Sequence, residues 1–352
     1  MSGKGSFSRR CGKVTPAIVP DFDAAGRSRL IPRKISRGLR LCAVLAGVLA
    51  VCGLHRAAAA EIDLVAPLGE FQLLEPPLPP PPGGPRAYGA SGPRPRWAVV
   101  QWNIPGEKLP EFRTSGSVLE SRTQAAGVRL VRGEAGSRIL VHQDGSFIPC
   151  ETDKGQPREW DLFLSPVGTH PQLSGETGML RLGPKNPRLS EMDRLMEYAT
   201  VSVSGGAAPR PKGCRVNMGN GLMALYISNT VSNQTMSYQL KISRVCGQSN
   251  TVHLNPCGNG PTKQEFYFGK NPFGVDDVLP LNGQPWVTNG QPRKIAVDIL
   301  PRLLEAIRSA PASMDHDLSH WFVNSIYIGQ HIWGDIDLTT EWQDFRLVAV
   351  TH

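Results

Sequence analysis

From residue 97 to residue 352 the chain is built from short runs in which apolar and polar residues alternate, separated by Gly, Pro, Asn or Asp. The runs are RWAVVQWNI, VRLVR, SRILVHQ, WDLFLS, YATVSVS, LMALYIS, MSYQLKIS, EFYFG, RKIAVDI, FVNSIYIGQHIW and FRLVAV. Period-two alternation in segments of this length predicts an antiparallel all-β sandwich or barrel. Two stretches break the pattern and predict short helices. In LPRLLEAIRSA, residues Leu303, Leu304 and Ile307 share one helical face. In LSEMDRLMEYA, Ser190 stands as N-cap with Asp193 three residues on. Alternation from Ser325 places Ser325, Tyr327, Gly329, His331 and Trp333 on one face of a strand, and Ile326, Ile328, Gln330 and Ile332 on the other.

The chain ahead of this domain has a different character. Residues 1–60 carry a cationic run (Arg33, Lys34, Arg37, Arg40), the apolar stretch LCAVLAGVLAVCGL and the small residues HRAAAAE. That order predicts a secretory signal peptide or an N-terminal anchor, with cleavage ahead of Glu61. Residues 61–96 hold the proline-dense stretch PLGEFQLLEPPLPPPPGGPRAYGASGPRPR and are expected to form a linker. The predicted organisation is therefore a leader (1–60), a Pro-rich linker (61–96) and one β-sandwich domain (97–352). The net charge of +8 would invite nucleic acid or an anionic membrane as partner. Residues 1–60, however, hold 11 Lys and Arg against 2 Asp and Glu, leaving 27 against 28 in the remainder. The basicity belongs to the leader, so no nucleic-acid partner is expected, and no membrane span after the leader is removed.

Cysteine usage agrees with export to a secreted or periplasmic location. Cys11, Cys42 and Cys52 lie in the leader, while Cys150, Cys214, Cys246 and Cys257 remain, enough for two disulfides. CGQSNTVHLNPC reads as a strand end, a turn and a return, which favours Cys246–Cys257 and leaves Cys150–Cys214. No C-x-x-C spacing is present, and neither a metal nor a cofactor is expected.

The segment from Pro285 to Val350 resembles the closing third of a concanavalin A-like jelly roll of the glucanase kind, as in family-twelve glycoside hydrolases. QPWVTNGQPRKIAVDILPRLLEAI supplies a strand and helix, WFVNSIYIGQHIWGD the motif strand with Gly329 and Trp333, and WQDFRLVAV the last strand. The resemblance implies a jelly-roll β-sandwich with one or two short helices and a polysaccharide or oligosaccharide as partner. His331 stands where that motif would place an acid/base glutamate. Glycoside hydrolysis usually needs two carboxyl groups, and GLMALYISN, the strand expected to carry a nucleophile, has none. The substitution points to glycan recognition rather than inherited hydrolysis. The alternatives are a hydrolase or lyase with a rearranged site, in which His331 acts as acid/base, and a structural envelope protein.

The substrate-binding residues expected are Tyr327, His331 and Trp333, whose aromatic planes would stack on sugar rings, with Gly329 allowing close approach. Gln101 and Asn103 share a face, opposite Trp102, and are taken to extend the groove. Trp160 and Trp286 are further aromatic candidates. The catalytic candidates are His331, Asp335 and Glu341, in a cluster that also holds Asp337 and Asp344. Asp276-Asp277 and Asp315-His316-Asp317 have oxygen ligands for calcium but no complete loop, and are read as solvated turns. Asn233-Gln234-Thr235 has the form of a glycosylation sequon.

Overall fold

The computed structural model describes residues 59–65, 68, 74–75, 97–102, 109–110, 112–133, 136–166, 186–248, 251–254, 265–267, 273–287 and 290–352. The leader ahead of residue 59 and most of the Pro-rich stretch lie outside these residues. His55–His352 form one compact unit.

The strands run in chain order as β1 (Ala60–Asp63), β2 (Leu74–Glu75), β3 (Trp97–Trp102), β4 (Arg113–Ser115), β5 (Val118–Arg122) and β6 (Ala126–Gly133). Next come β7 (Gly136–Asp144), β8 (Glu159–Pro166), β9 (Met192–Ala207), β10 (Met218–Asn229), β11 (Thr235–Gln248) and β12 (Thr251–Leu254). The remainder are β13 (Glu265–Tyr267), β14 (Phe273–Val278), β15 (Arg293–Asp298), then helix α1 (Leu300–Ser309), β16 (Trp321–Trp333) and β17 (Ile336–Thr351). Each of the eleven alternating runs meets a strand among the described residues.

These strands make two sheets. One has eight strands in the order β15-β9-β17-β7-β6-β5-β4, with β1 beside β17. The other has nine, in the order β13-β14-β11-β10-β16-β8-β3-β2, with β12 beside β11. All pairs are antiparallel except β11–β14 and β2–β3. The fold is thus the expected all-β jelly-roll sandwich, with one α-helix among the described residues.

Alternation explains how the sheets meet. On β16, Ile326, Ile328 and Ile332 are fully buried in the main core, together with Leu162 and Leu164 of β8 and Met223 and Leu225 of β10. Trp342, Leu338 and Leu347 of β17 close the core from the opposite sheet. A fully buried side chain of this size contributes about 1.5–3 kcal/mol. Helix α1 buries Leu300, Leu303, Ala306 and Ile307 against the same core.

The second predicted helix is not formed. LSEMDRLMEYA makes a single tight turn over Leu189–Glu191, closed by the Arg188 N–H donating to Glu191 Oε2 at 2.7 Å, and then enters β9. From Leu195 onward the buried positions alternate through Glu197, Ala199, Val201 and Val203. Continuous pairing with β17 on one side and β15 on the other outweighs a modest helical propensity.

The domain also begins earlier than expected. Residues 60–63 pair with Val348–Thr351, Leu64 donates its N–H to Leu347 O at 2.8 Å, and Leu64, Val65 and Leu68 are buried. The first residues of the expected linker are therefore sheet and core. Asp63 pairs with Arg346 in a two-pronged contact at 2.9 and 3.0 Å.

Cys150 and Cys214 are joined. Cys246 is also disulfide-bonded, and Cys257 lies outside the described residues.

Candidate functional site

Cross-strand register decides which residues meet on the outward face of the nine-stranded sheet. His331 of β16 lies between Asn220 of β10 and Asp161 of β8. Trp333, two residues on, lies between Met218 and Glu159. Asn220 in turn faces Arg244 of β11. Residues opposite one another in a sheet share a face, so four strands place Glu159, Asp161, His331, Trp333, Asn220 and Arg244 together.

Their contacts form a directional chain. Arg244 Nε donates to Asn220 Oδ1 at 3.2 Å. A guanidinium can only donate, so the other end of the amide, Nδ2, faces the imidazole, 2.8 Å from His331 Nε2. That nitrogen must then accept, and the ring proton resides on Nδ1. Nδ1 lies 3.0 Å from Glu159 Oε1 and 3.7 Å from Asp161 Oδ1. His331 is only 4 % exposed, and burial lowers its pKa while Glu159 opposes that shift. It is a neutral ring with both nitrogens engaged.

Glu159, Asp161 and His331 bring ligand atoms within 4.8 Å of one another, close enough to surround a metal ion. A metal on Nδ1 would need the remaining proton on Nε2, where Asn220 Nδ2 already donates. The hydrogen-bond chain as built opposes ligation.

Exposure grades along this face. The Glu159 side chain is 38 % exposed, and Trp333 is half-buried with its ring 4.4 Å from that of His331 in an edge arrangement. Tyr327 is buried, in a second apolar cluster with Val100, Phe163, Leu222 and Ala224, against which half-buried Tyr226 packs. The Tyr226 and Tyr327 rings meet edge-on at 5.2 Å. Burial pushes the Tyr327 hydroxyl up to about 12. Tyr327 braces the face from below; Trp333 and Glu159 are the side chains it presents.

Gly329 serves a different purpose from the one expected. Its φ of 153° and the proximity of Leu162 O and Phe163 Cα, the latter 2.9 Å from any added Cβ, show that the β8 backbone requires glycine here. The Phe163 ring occupies the space above it, so no ligand approaches through that gap.

The remaining predicted site residues lie elsewhere. Gln101 pairs with core-facing Leu162 and is buried on the opposite side of its sheet, its Oε1 accepting from Leu109 N at 3.3 Å. It does not share a groove with His331. Asn103 lies outside the described residues, and Trp102 pairs with Asp161 in register. Trp160 faces the core, and Trp286 lies outside both sheets. Asp335 is fully buried, its carboxylate accepting the backbone N–H groups of Lys212, Gly213 and Cys214, each at 2.8 Å. It anchors a loop, with Lys212 Nζ a further 3.9 Å from its carboxylate, and lies apart from the His331 face. Glu341 belongs to the other sheet, paired with Arg138 at 3.3 Å, as does Asp337, 3.4 Å from His142. Asp344 is exposed at a bulge of β17 with φ 54°.

Of the acidic groups read as solvated turns, Asp276-Asp277 is built into the fold, while Asp315-His316-Asp317 lies in a surface segment with His316 and Asp317 exposed. Asp276 and Asp277 lie on β14: Asp276 pairs with Lys241 at 2.6 Å, and fully buried Asp277 accepts from Tyr238 and Asn282 and lies 3.5 Å from Arg302. Asp315 accepts from Asn229 and lies 2.6 Å from His320 Nδ1. The Asp317 backbone N–H leads several hydrogen bonds that hold the Asp315 carboxyl at about 2.

Glu159, Asp161, Asn220 and Arg244 were missed by sequence reasoning. The available signal was EWDLFLS, where two carboxylates alternate with Trp160 and Leu162, putting both acids on one face.

No protein-family model and no curated protein matches the chain. Among solved structures it is similar to endoglucanase 3 of Trichoderma harzianum from family GH12, at 8 % identity, covering 68 % of this chain and 94 % of that one, with a TM-score of 0.34. Endoglucanase cel12A from Rhodothermus marinus shows 10 % identity, coverages of 67 % and 93 % and a TM-score of 0.33. The family 11 xylanase from Neocallimastix patriciarum shows 9 %, 73 %, 97 % and 0.30.

Proposed function

We propose that this chain is an exported protein that recognises a polysaccharide through the outward face of its nine-stranded sheet, at the end marked by Trp333 and Glu159. The observation that carries the reading is the half-buried Trp333 ring held against His331, with the partly exposed Glu159 carboxylate beside it. An indole plane stacks on the apolar face of a pyranose, and a neighbouring carboxylate accepts sugar hydroxyls. The Arg244–Asn220–His331 chain fixes both without reaching the ligand itself.

Export is supported by the leader's charge order and by disulfides at Cys150–Cys214 and Cys246, which suit the periplasm or the extracellular space. Among the described residues no helix is long and apolar enough to cross a membrane. The Pro-rich stretch before Trp97 is assigned as a spacer.

The pair Glu159 and Asp161 keeps a hydrolase or lyase as the second reading. Hydrolysis places two carboxyl groups on either side of a glycosidic bond. Here both extend from one strand toward a single imidazole nitrogen, which favours holding over cutting. His331, with both ring nitrogens occupied, is a positioning residue in either case.

Affinity electrophoresis against a panel of neutral, acidic and amino polysaccharides tests the proposal. Binding is expected to weaken at least tenfold in Trp333→Ala and to leave no new reducing ends. Retention of no polysaccharide overturns the reading in favour of a structural protein, and release of reducing ends abolished by Glu159→Gln overturns it in favour of an enzyme.

A further inference from the structure

We propose that Asn220 is the moving part of a proton-operated latch beneath the face that carries Trp333 and Glu159. The inference stands on donor and acceptor geometry; its bearing on affinity rests on the glycan reading above.

His331 is surrounded from every side by polar groups. From β8 come Glu159 and Asp161, at 3.0 and 3.7 Å from Nδ1. From β10 comes Asn220 at 2.8 Å from Nε2, and behind it Arg244 of β11. Lys241 of β11 and Asp276 of β14, themselves paired at 2.6 Å, act on the ring from further away with opposite sign. Trp333 covers it from its own strand.

With the ring neutral, every bond in the chain runs one way, from Arg244 through Asn220 and His331 to Glu159. A proton from solvent can add only at Nε2, because Nδ1 already carries one. Nε2–H then meets the Asn220 NH2, donor against donor. Turning the amide about its Cβ–Cγ bond restores the contact, with Oδ1 accepting from Nε2–H. The same turn aims Nδ2 at Arg244 Nε–H, so Arg244 gives up this acceptor.

The acid state is a second ordered arrangement because its new charge has partners in place: the imidazolium lies between two carboxylates. That distinguishes a latch from a buried histidine whose protonation simply unfolds its surroundings. Burial lowers the pKa, so the change falls on the acid side of the ordinary histidine value of 6.5. In the acid state Glu159 is drawn into an ion pair and offers less to a ligand hydroxyl, so acidification weakens binding.

The test uses the full chain labelled with 15N-histidine, the His331 signals assigned by their loss in His331→Gln. At pH 8 the expected spectrum shows a protonated Nδ1 and a bare Nε2, with a titration midpoint below 6.5. Asn220→Asp presents an acceptor to Nε2 and is expected to raise the midpoint by about one unit, tenfold in proton affinity. Arg244→Met frees the amide to turn and is expected to shift it in the same direction, so the test does not depend on one variant folding. A proton on Nε2 at pH 8, or midpoints in both variants that coincide with the parent's, would overturn the latch. Polysaccharide affinity that falls with the same midpoint supports the bearing on binding, and affinity constant across it overturns that part. Absence of polysaccharide binding at any pH refutes the glycan reading while the tautomer still decides the latch.

Discussion

Asn220 and His331 are locked together in one sense only: the amide nitrogen is 2.8 Å from Nε2 because the amide oxygen is held by Arg244. A buried neutral histidine of this kind has a consequence for stability. Its folded pKa is lowered from 6.5, so between the folded value and 6.5 the unfolded chain binds more protons. The stabilising contribution is complete above about 6.5 and is lost as pH falls toward the folded value. Urea unfolding at pH 7.5, 6 and 5 should therefore show the parent losing stability faster than His331→Gln. Parallel curves would mean that the ring does not resist protonation.

Asp335 is the second residue whose role is fixed by its partners. It replaces three bonds to water with three backbone N–H donors in the loop that ends at Cys214. Truncation would orphan three buried or part-buried donors, each worth about 1–3 kcal/mol. Asp335→Ala should cost at least about 3 kcal/mol by chemical denaturation and leave polysaccharide binding per folded molecule unchanged. Loss of binding without loss of stability would return Asp335 to the site.

These two residues show where the sequence was legible and where it was not. Period-two alternation located the strands and the two faces of β16, because burial on one side imposes that period whatever the partners are. The isoleucines of β16 lie in the core and Tyr327, His331 and Trp333 lie on the other face. Residues 189–199 misled because MDRLMEY carries both a helical spacing and a strand spacing, and only pairing with β17 and β15 decides between them. The site was half legible. His331 and Trp333 sit on one alternating strand, but Glu159, Asp161, Asn220 and Arg244 come from three others, and register across a sheet is not written in any single strand. Gln101 went astray for the converse reason: its face was set by Trp97 and Val99, which alternate into the core. A polar residue in a core position accepts a backbone N–H rather than a ligand.

Gly329 gives a steric prediction. An alanine Cβ there would collide with Leu162 O and Phe163 Cα of β8, within the β16–β8 ladder. The strands would have to separate, at a cost of about 2–4 kcal/mol. Gly329→Ala should lower the melting temperature and disturb the near-ultraviolet circular dichroism of Phe163 and Tyr327. A variant as stable as the parent would mean that the strands can part freely, reopening the gap for a ligand.

The alkaline side of the stability curve belongs to Glu197. It is fully buried on β9, neither carboxylate oxygen has a hydrogen-bond partner, and burial raises its pKa from 4.5 to about 8. The folded state therefore holds a proton that the unfolded chain releases. Its contribution is greatest below about 4.5 and is lost as pH climbs through about 8, by a total on the order of 5 kcal/mol. His331 acts in the opposite sense, withdrawing stability as pH falls below 6.5. Glu197→Gln has no proton to lose, and Glu197→Met removes the polar group altogether. Both should flatten the decline between pH 5 and 8.5 when melting is followed by calorimetry, and the methionine variant should exceed the parent at pH 8.5. An alkaline decline of equal slope in all three proteins would show that Glu197 is paired or solvated in solution.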